Sequence, residues 1–410
     1  MASIGTFVIY IIMVCAVAGA IASIRNPETG LGKEFIEGIH AIGPIFIPVA
    51  GIMAAIPYLS EFIRVAVGPL FALVGADPSI AATTVIAVDM GGYQLADALA
   101  GSRNAWMIAT IVGFTSGATI IFSIPVGLAM LAKSDHKYMA LGIMSGILSV
   151  PIGVFIACAI IAFAGLDIRP EVSTTAEASH QVVLTLADIL RNLLPLIVFC
   201  VAIALGLRFA PDAMITGFLW FGRIMYAGIT LVLVASIVEY FTSFFSTVFG
   251  AWGFDPIIAD AQDQFRALEI AGYIGIMLAG AFPMVYLLTR YLAGPMQVIG
   301  ARIGVSPEGA AGLLAASANI LAMYRLVGKM QPKDKVLAIA FAVCAAFTFG
   351  DHLAFSANFQ PTMILPLMLG KLLGGAAGFM LAVWLSVPKA EELGSLENAS
   401  EGEPVAVAAK

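Results

Sequence analysis

Asp89 stands inside an apolar run of this 410-residue chain, with Gly91 and Gly92 close behind it. That order predicts a helix broken beside a carboxylate. An ionisable group in hydrocarbon costs about 2.5 to 3.5 kcal/mol even on the mild insertion scale, so it is expected to recognise a cation or a proton. The structural alternative is a partner for Arg103 or another helix, or a helix that simply ends near Asp89. Asp351 and His352 follow Gly350 in a second apolar segment and form an ionisable pair; the alternative there is a capped loop in which Asp351 only accepts backbone amides. Tyr93 lies four residues after Asp89, and Phe355 four after Asp351. On a helix that spacing puts acid and ring on one face, which suits an ammonium group.

Asn319 offers both a donor and an acceptor, fit either for a hydroxyl or for a neighbouring helix. Thr115, Ser116 and Thr119 surround Gly117 and could line a hairpin tip, although such hydroxyls in membrane helices usually bond to local backbone. Glu239 and Glu269 sit at span ends and read as interfacial. His40, His136 and His180 read as loop-bound, without metal-ligand spacing, and no metal site is expected.

The elements that must hold these residues are set by composition. Of the residues 60% are hydrophobic and 11% charged, against about 25% charged in soluble domains. Hydrocarbon cannot satisfy a bare peptide group, so the chain must span as helices or as a closed barrel. Long continuous apolar runs select helices. Spans are expected at 4–24, 41–59, 80–99, 138–164, 193–210, 218–238, 268–288, 310–327 and 372–387. Two segments, 105–132 and 336–369, are too long: 28 residues of helix reach about 42 Å, beyond a core of about 30 Å. Their breaks at Thr115-Ser116-Gly117 and Phe349-Gly350-Asp351 fit two re-entrant hairpins. The fold class is therefore an all-α polytopic membrane protein of about nine to eleven membrane segments.

A repeat runs through the chain. Gly51 pairs with Gly280, Gly68-Pro69 with Gly294-Pro295, Pro78 with Pro307, Gly142 with Gly370 and Gly146 with Gly374, at separations of 229, 226, 229, 228 and 228 residues. Asp89 and Asn319 are then equivalent to within one residue. With both long segments as hairpins, an odd number of crossings separates the copies, so the repeat is inverted, the layout of alternating-access carriers. The expected organisation is a first half-repeat at 1–164, an acidic external loop and linking helix at 165–216, a second half-repeat at 217–388 and a disordered polar tail at 389–410.

Acidic segments 167–188 and 255–269 are expected outside and Lys133, His136 and Lys137 inside. Lys329, Lys333 and Lys335 conflict with this, because the hairpin arrangement puts them outside. The first apolar stretch, which lacks a basic leader and is long enough to span, reads as a retained helix rather than a cleaved signal. Cys15, Cys158, Cys200 and Cys344 are scattered in apolar stretches and read as buried thiols. GxxxG-like spacing at Gly142 and Gly146 fits packing within one chain or between chains of a homo-oligomer.

The sequence holds no P-loop, GxSxG, HExxH or paired CxxC, no nucleic-acid footprint and no cofactor signature, so an enzyme is not expected. Membrane lipid is its solvent. Without a nucleotide site, transport by this chain must run downhill or be coupled to an ion. A bacterial inner-membrane carrier of a small polar solute is the leading expectation. A membrane subunit of an Na⁺- or H⁺-translocating complex, or a carrier of another amine or polar solute, is the alternative.

The stretches GADPSIAATTVIAVDMGGYQLADALAG, TIIFSIPVGLAMLAKSDHKYMALGIMSGILSVPIG and FAVCAAFTFGDHLAFSANFQPTMILPLMLGKLLGG resemble the ethanolamine-utilisation membrane protein family, EutH. The likeness runs over nearly the whole membrane region, and DMGG followed by GDHLAF is a specific pair. It implies a multi-span inner-membrane permease that admits ethanolamine when the freely diffusing neutral amine is scarce. Ethanolamine is mainly an ammonium ion near neutral pH. Asp89 or Asp351 would pair the charge, and Asn319 or His352 would meet the hydroxyl; these roles come from the residue chemistry and not from the likeness.

Overall fold

A computed structural model describes residues 2–402, which are mainly helical. Strand among the described residues is confined to β1 (Asp167–Ile168) paired antiparallel with β2 (His180–Gln181) in the acidic loop. Nine helices among these residues are long and apolar enough to cross a membrane. Exposed Phe7, Val14, Leu205, Phe209 and Leu231 on the outer helices are the lipid-facing side of such a bundle. The expected all-α polytopic class is what the chain adopts.

The chain opens with α1 (Ala2–Arg25), α2 (Gly30–His40) and α3 (Ile42–Ala54). A wide π turn at Ile63–Val67 joins α4 (Ile56–Phe62) to α5 (Gly68–Leu73). Next come α6 (Ser79–Val85) and α7 (Gly92–Leu99), packed against each other. The helix α8 (Arg103–Val112) passes without interruption through π-helical turns at Gly113–Ser123 into α9 (Ile124–Met130). Then follow α10 (His136–Ile147), α11 (Val150–Ala164), α12 (Leu186–Phe209), α13 (Pro211–Thr242), short α14 (Phe244–Phe249) and α15 (Ala267–Arg302). A second packed pair, α16 (Pro307–Ala318) and α17 (Ile320–Val327), precedes α18 (Pro332–Ala345), α19 (Asp351–Phe359), α20 (Ile364–Leu385) and α21 (Val387–Gly402).

Re-entrant hairpins are present, but the sequence located them in the wrong segments. The halves of 80–99 and 310–327 are seven to twelve residues long, about 11 to 18 Å of helix, too short to cross. Each pair dips in and returns. Segment 105–132, expected to fold back at Thr115-Ser116-Gly117, is instead one continuous crossing, because wide π turns absorb its glycines without reversing the chain. Gly117 serves close approach: a Cβ there would stand 2.3 Å from the Ile86 carbonyl oxygen of the first hairpin. Segment 336–369 is a crossing interrupted between α18 and α19, followed by the start of the next span.

This correction removes the topological conflict. Lys335 Nζ lies 2.5 Å from Asp135 Oδ1, so the lysines around 329–335 share a face with Lys133 and Lys137. By the positive-inside rule that face is cytoplasmic. On the opposite face Asn104 Nδ2 donates to the Val183 carbonyl at 2.7 Å and Asp255 N–H to the Ala54 carbonyl at 2.9 Å, tying both acidic loops to that end of the bundle. Glu269 accepts from Ala259 N–H and Glu239 from Phe245 N–H at that outer end.

Five long helices, α8–α9, α10–α11, α12, α13 and α15, separate the two hairpins. An odd number inverts the second copy, so hairpin α6–α7 enters from outside and hairpin α16–α17 from inside. The element bounds repeat at the expected offset, the crossing at 103–130 recurring at 332–359. Gly51 seats the backbone of Ile229 in α13, and Gly280 that of Ile12 in α1. The helix expected at 193–210, within the segment 165–216, is α12, a full-length span that begins at Leu186. Gly142 and Gly146 pack on Ile339 and Ala340 within the same chain. The four cysteines are buried free thiols. The tail expected to be disordered from 389 continues as helix α21, held by Glu397, which accepts from Lys137 and from Tyr138 Oη at 2.6 Å. Residues 403–410 lie outside the described residues.

Candidate functional site

Three backbone interruptions meet at the centre of the bundle. In the first hairpin, α6 gives way to extended Ile86, a single turn at Val88–Met90 that carries Asp89, and Gly91 at φ +92°. Asp77 staples the feet of this hairpin, Oδ1 accepting from Ser79 N–H and Oδ2 from Gly101 N–H, both at 2.9 Å. In the second hairpin the chain turns at Asn319, whose Oδ1 accepts from Leu321 N–H at 2.9 Å and so starts α17, leaving its amide nitrogen for other partners. There Asp334 Oδ2 accepts from Ser306 N–H at 3.1 Å.

The third interruption separates α18 from α19. Phe347 N–H donates to the Ala316 carbonyl at 3.2 Å and Phe349 N–H to that of Ser317 at 2.9 Å, so the second hairpin satisfies backbone donors that the break exposes. A Cβ on Gly350 would stand 2.4 Å from the Ala318 carbonyl oxygen. Asp351 then opens α19 with His352 beside it.

A cavity of ≈ 370 Å³ joins these points, and Asp89, Asn319, Asp351 and His352 all line it. His352 is 1% exposed, its ring set between Phe114 and Phe347 at centroid distances of 4.9 and 5.3 Å. His352 Nε2 is 3.9 Å from Asp89 Oδ1, beyond hydrogen-bond reach. Asp89 Oδ1 and both imidazole nitrogens are enclosed without a hydrogen-bond partner. Buried polar atoms are rarely left so, because each forfeits its water without replacement, at roughly 1 to 3 kcal/mol. The arrangement can accept a cationic donor at Asp89 and a hydroxyl at His352 or the Asn319 amide.

The other expected contacts lie elsewhere. Tyr93 and Phe355 stack edge-on at 5.3 Å in a layer away from the cavity, where Tyr93 Oη accepts from Gln360 Nε2 at 2.8 Å. The left-handed Gly91 between Asp89 and Tyr93 ends the helical register that would have aligned them. Thr115 donates to the Ile111 and Val112 carbonyls, and Ser116 to that of Thr84 at 2.7 Å, so both hydroxyls serve the backbone. Arg103 pairs with Asp97 rather than Asp89 and lies over the Trp106 ring.

Sequence reasoning missed four contributors. Lys371 of α20, 2% exposed, donates to the Phe114 carbonyl at 2.6 Å, within the π-helical turns. A lone lysine in an apolar span was the available signal. Glu37 and His40 belong to α2 and line the cavity, whereas His40 was read as loop-bound; His136 likewise begins α10 and His180 sits in β2. Phe347, at φ +61°, has a left-handed backbone conformation that no local pattern announced.

A family model described as "Ethanolamine utilisation protein, EutH" matches residues 4–385. The chain is similar to the "Probable ethanolamine permease EutH" of Listeria monocytogenes serotype 1/2a, 35% identical over 385 residues covering 94% of this chain and 95% of that protein. Proteins of the same name from Salmonella typhimurium and Escherichia coli K12 are each 38% identical over 370 residues, covering 88% of this chain and 86% of theirs. No solved structure matches the chain significantly.

Proposed function

This chain belongs to the EutH family of ethanolamine utilisation proteins, and from that premise we propose that it is a multi-pass permease of the bacterial inner membrane that takes up ethanolamine. The substrate binds as its ammonium, with the charge at Asp89 or Asp351 and the hydroxyl at His352 or the Asn319 amide. The observation that carries this reading is the enclosed, unpartnered set of Asp89 Oδ1 and the His352 nitrogens at one wall of the cavity.

Alternating access follows from the inverted hairpins. In this reading the structure faces inward, with Glu37 and His40 of α2 lining the cavity. Toward the outside, Tyr93, Gln360 and Arg169 close the path: Gln360 bonds both Tyr93 Oη and the Arg169 carbonyl, at 2.8 and 2.9 Å. Exchange of the two hairpins' roles would open the outer side and seal the inner one. A cavity near the lower end of the ~300 to 1,000 Å³ typical of ligand pockets exceeds a two-carbon amino alcohol, as an inward-open vestibule should.

The test is uptake of labelled ethanolamine by proteoliposomes containing this protein alone. Saturable uptake that excess unlabelled ethanolamine suppresses is expected. Vesicles no more permeable than protein-free controls would refute the reading and favour an ion-translocating subunit.

A further inference from the structure

The outer face of the first hairpin carries a second hollow, of ≈ 260 Å³, lined by Gln94 and Asp97 of α7 and by Asp255, Asp263 and Arg266 of the loop before α15. Gln94 is 7% exposed, and neither its amide nitrogen nor its amide oxygen has a hydrogen-bond partner. An amide can supply both a donor and an acceptor to one small ligand, and a buried amide with both ends unanswered requires an explanation. The charges around it are unbalanced. Asp97 is paired with Arg103, while Asp260 and Asp263 share Arg266 at 3.2 and 3.5 Å. Asp255 has no ion-pair partner among the described residues, and partial burial raises its carboxyl above the ordinary value. Four carboxylates against two guanidiniums leave the hollow negative.

We propose that this hollow is an outer loading subsite for a small primary ammonium bearing a hydroxyl, with Asp255 meeting the charge and Gln94 the hydroxyl. The proposal rests on the permease reading and adds a step to it. Gln94 lies on the same hairpin as Asp89, so a ligand in the hollow touches the element that must move before the central site opens outward. A negative vestibule also concentrates a cationic solute at the entrance. Because the hollow lies on one side of the membrane, it acts on entry from that side alone.

The experiment uses proteoliposomes of defined orientation and compares ethanolamine loaded from the outer face with ethanolamine loaded from the inner face. For Gln94→Leu and, separately, for Asp255→Asn, the half-saturation concentration of outer loading should rise roughly tenfold, with the maximal inward rate and the inner half-saturation unchanged and the maximal outward rate falling in step. Asp255 lies in a surface loop, so its variant stands as the test should Gln94→Leu fail to fold. Unchanged outer loading, or an equal change from both faces, would overturn the subsite while leaving the permease intact. A wild-type protein that moves no ethanolamine would overturn the permease reading and the subsite with it.

Discussion

His352 Nε2 faces Asp89 Oδ1 across 3.9 Å, two polar atoms from opposite halves of the repeat that neither touch each other nor find another partner. A hydrogen bond to a charged group contributes about 1.5 to 3 kcal/mol. Replacing Asp89 by Asn keeps the shape and removes the charge, so the apparent affinity for ethanolammonium should fall by roughly tenfold to a hundredfold. Initial uptake rates across a concentration series measure it. Wild-type kinetics in Asp89→Asn would take this carboxylate out of the site.

His352→Gln should act more mildly, raising the half-saturation concentration a few-fold, because a neutral hydrogen bond contributes only about 0.5 to 1.5 kcal/mol. Competition by ethylamine, which lacks the hydroxyl, separates the roles. In the wild type ethylamine should compete less well than ethanolamine, and in His352→Gln that preference should shrink. A preference left at full size would assign the hydroxyl to Asn319.

Gly350→Ala would drive a methyl to 2.4 Å from the Ala318 carbonyl, and Gly117→Ala one to 2.3 Å from that of Ile86. Both neighbours are backbone at a hairpin tip and cannot step aside like a side chain. Overpacking of this kind costs about 1 to 3 kcal/mol. Thermal unfolding in detergent should show both variants destabilised, whereas Gly228→Ala, which meets nothing nearby, should unfold as the wild type does.

Lys371 can be removed in two ways with different outcomes. Met at this position fills nearly the same volume without a buried cation, and such exchanges are cheap or favourable. Both variants take the donor from the Phe114 carbonyl, but Ala alone also leaves a void, at about 2 to 5 kcal/mol. Unfolding temperatures in the order wild type close to Lys371→Met, and both above Lys371→Ala, are expected. Equal losses in the two variants would show that the charge itself stabilises the core.

The docking of α21 should depend on pH. The Lys137 ammonium, and then the Tyr138 hydroxyl, hold the Glu397 carboxyl below the ordinary range. A lowered folded value means the contact is fully present above the ordinary glutamate value and is lost as pH falls through the lower one. Limited proteolysis should therefore find the tail protected at neutral pH and exposed only in acid, and Glu397→Gln should expose it already at neutral pH.

Much of the candidate site was legible because charged residues in apolar runs are costly. Asp89, Asn319, Asp351 and His352 were each expected from type and position, and all four reach one cavity. Hydropathy counts could not separate a hairpin from a span, since two short helices with a turn have the same apolar length as one long helix. Segments 80–99 and 105–132 were thus exchanged in role. Tyr93 and Phe355 failed for a local reason: the i, i+4 argument presumes unbroken helix, which Gly91 removes at the first position, while Phe355 packs on Tyr93. The tail misled because its acidic composition conceals a specific anchor, Glu397, whose lysine lies far upstream.

Gly51 and Gly280 each cradle an isoleucine backbone from the helix that leads into the other half. The consequence concerns biosynthesis. α1 is made long before its seat on α15 emerges from the ribosome. Meanwhile the groove at Gly51 stays vacant until α13 arrives. The two copies are clasped like linked hands, so severing the gene between them should yield halves that mature only when expressed together.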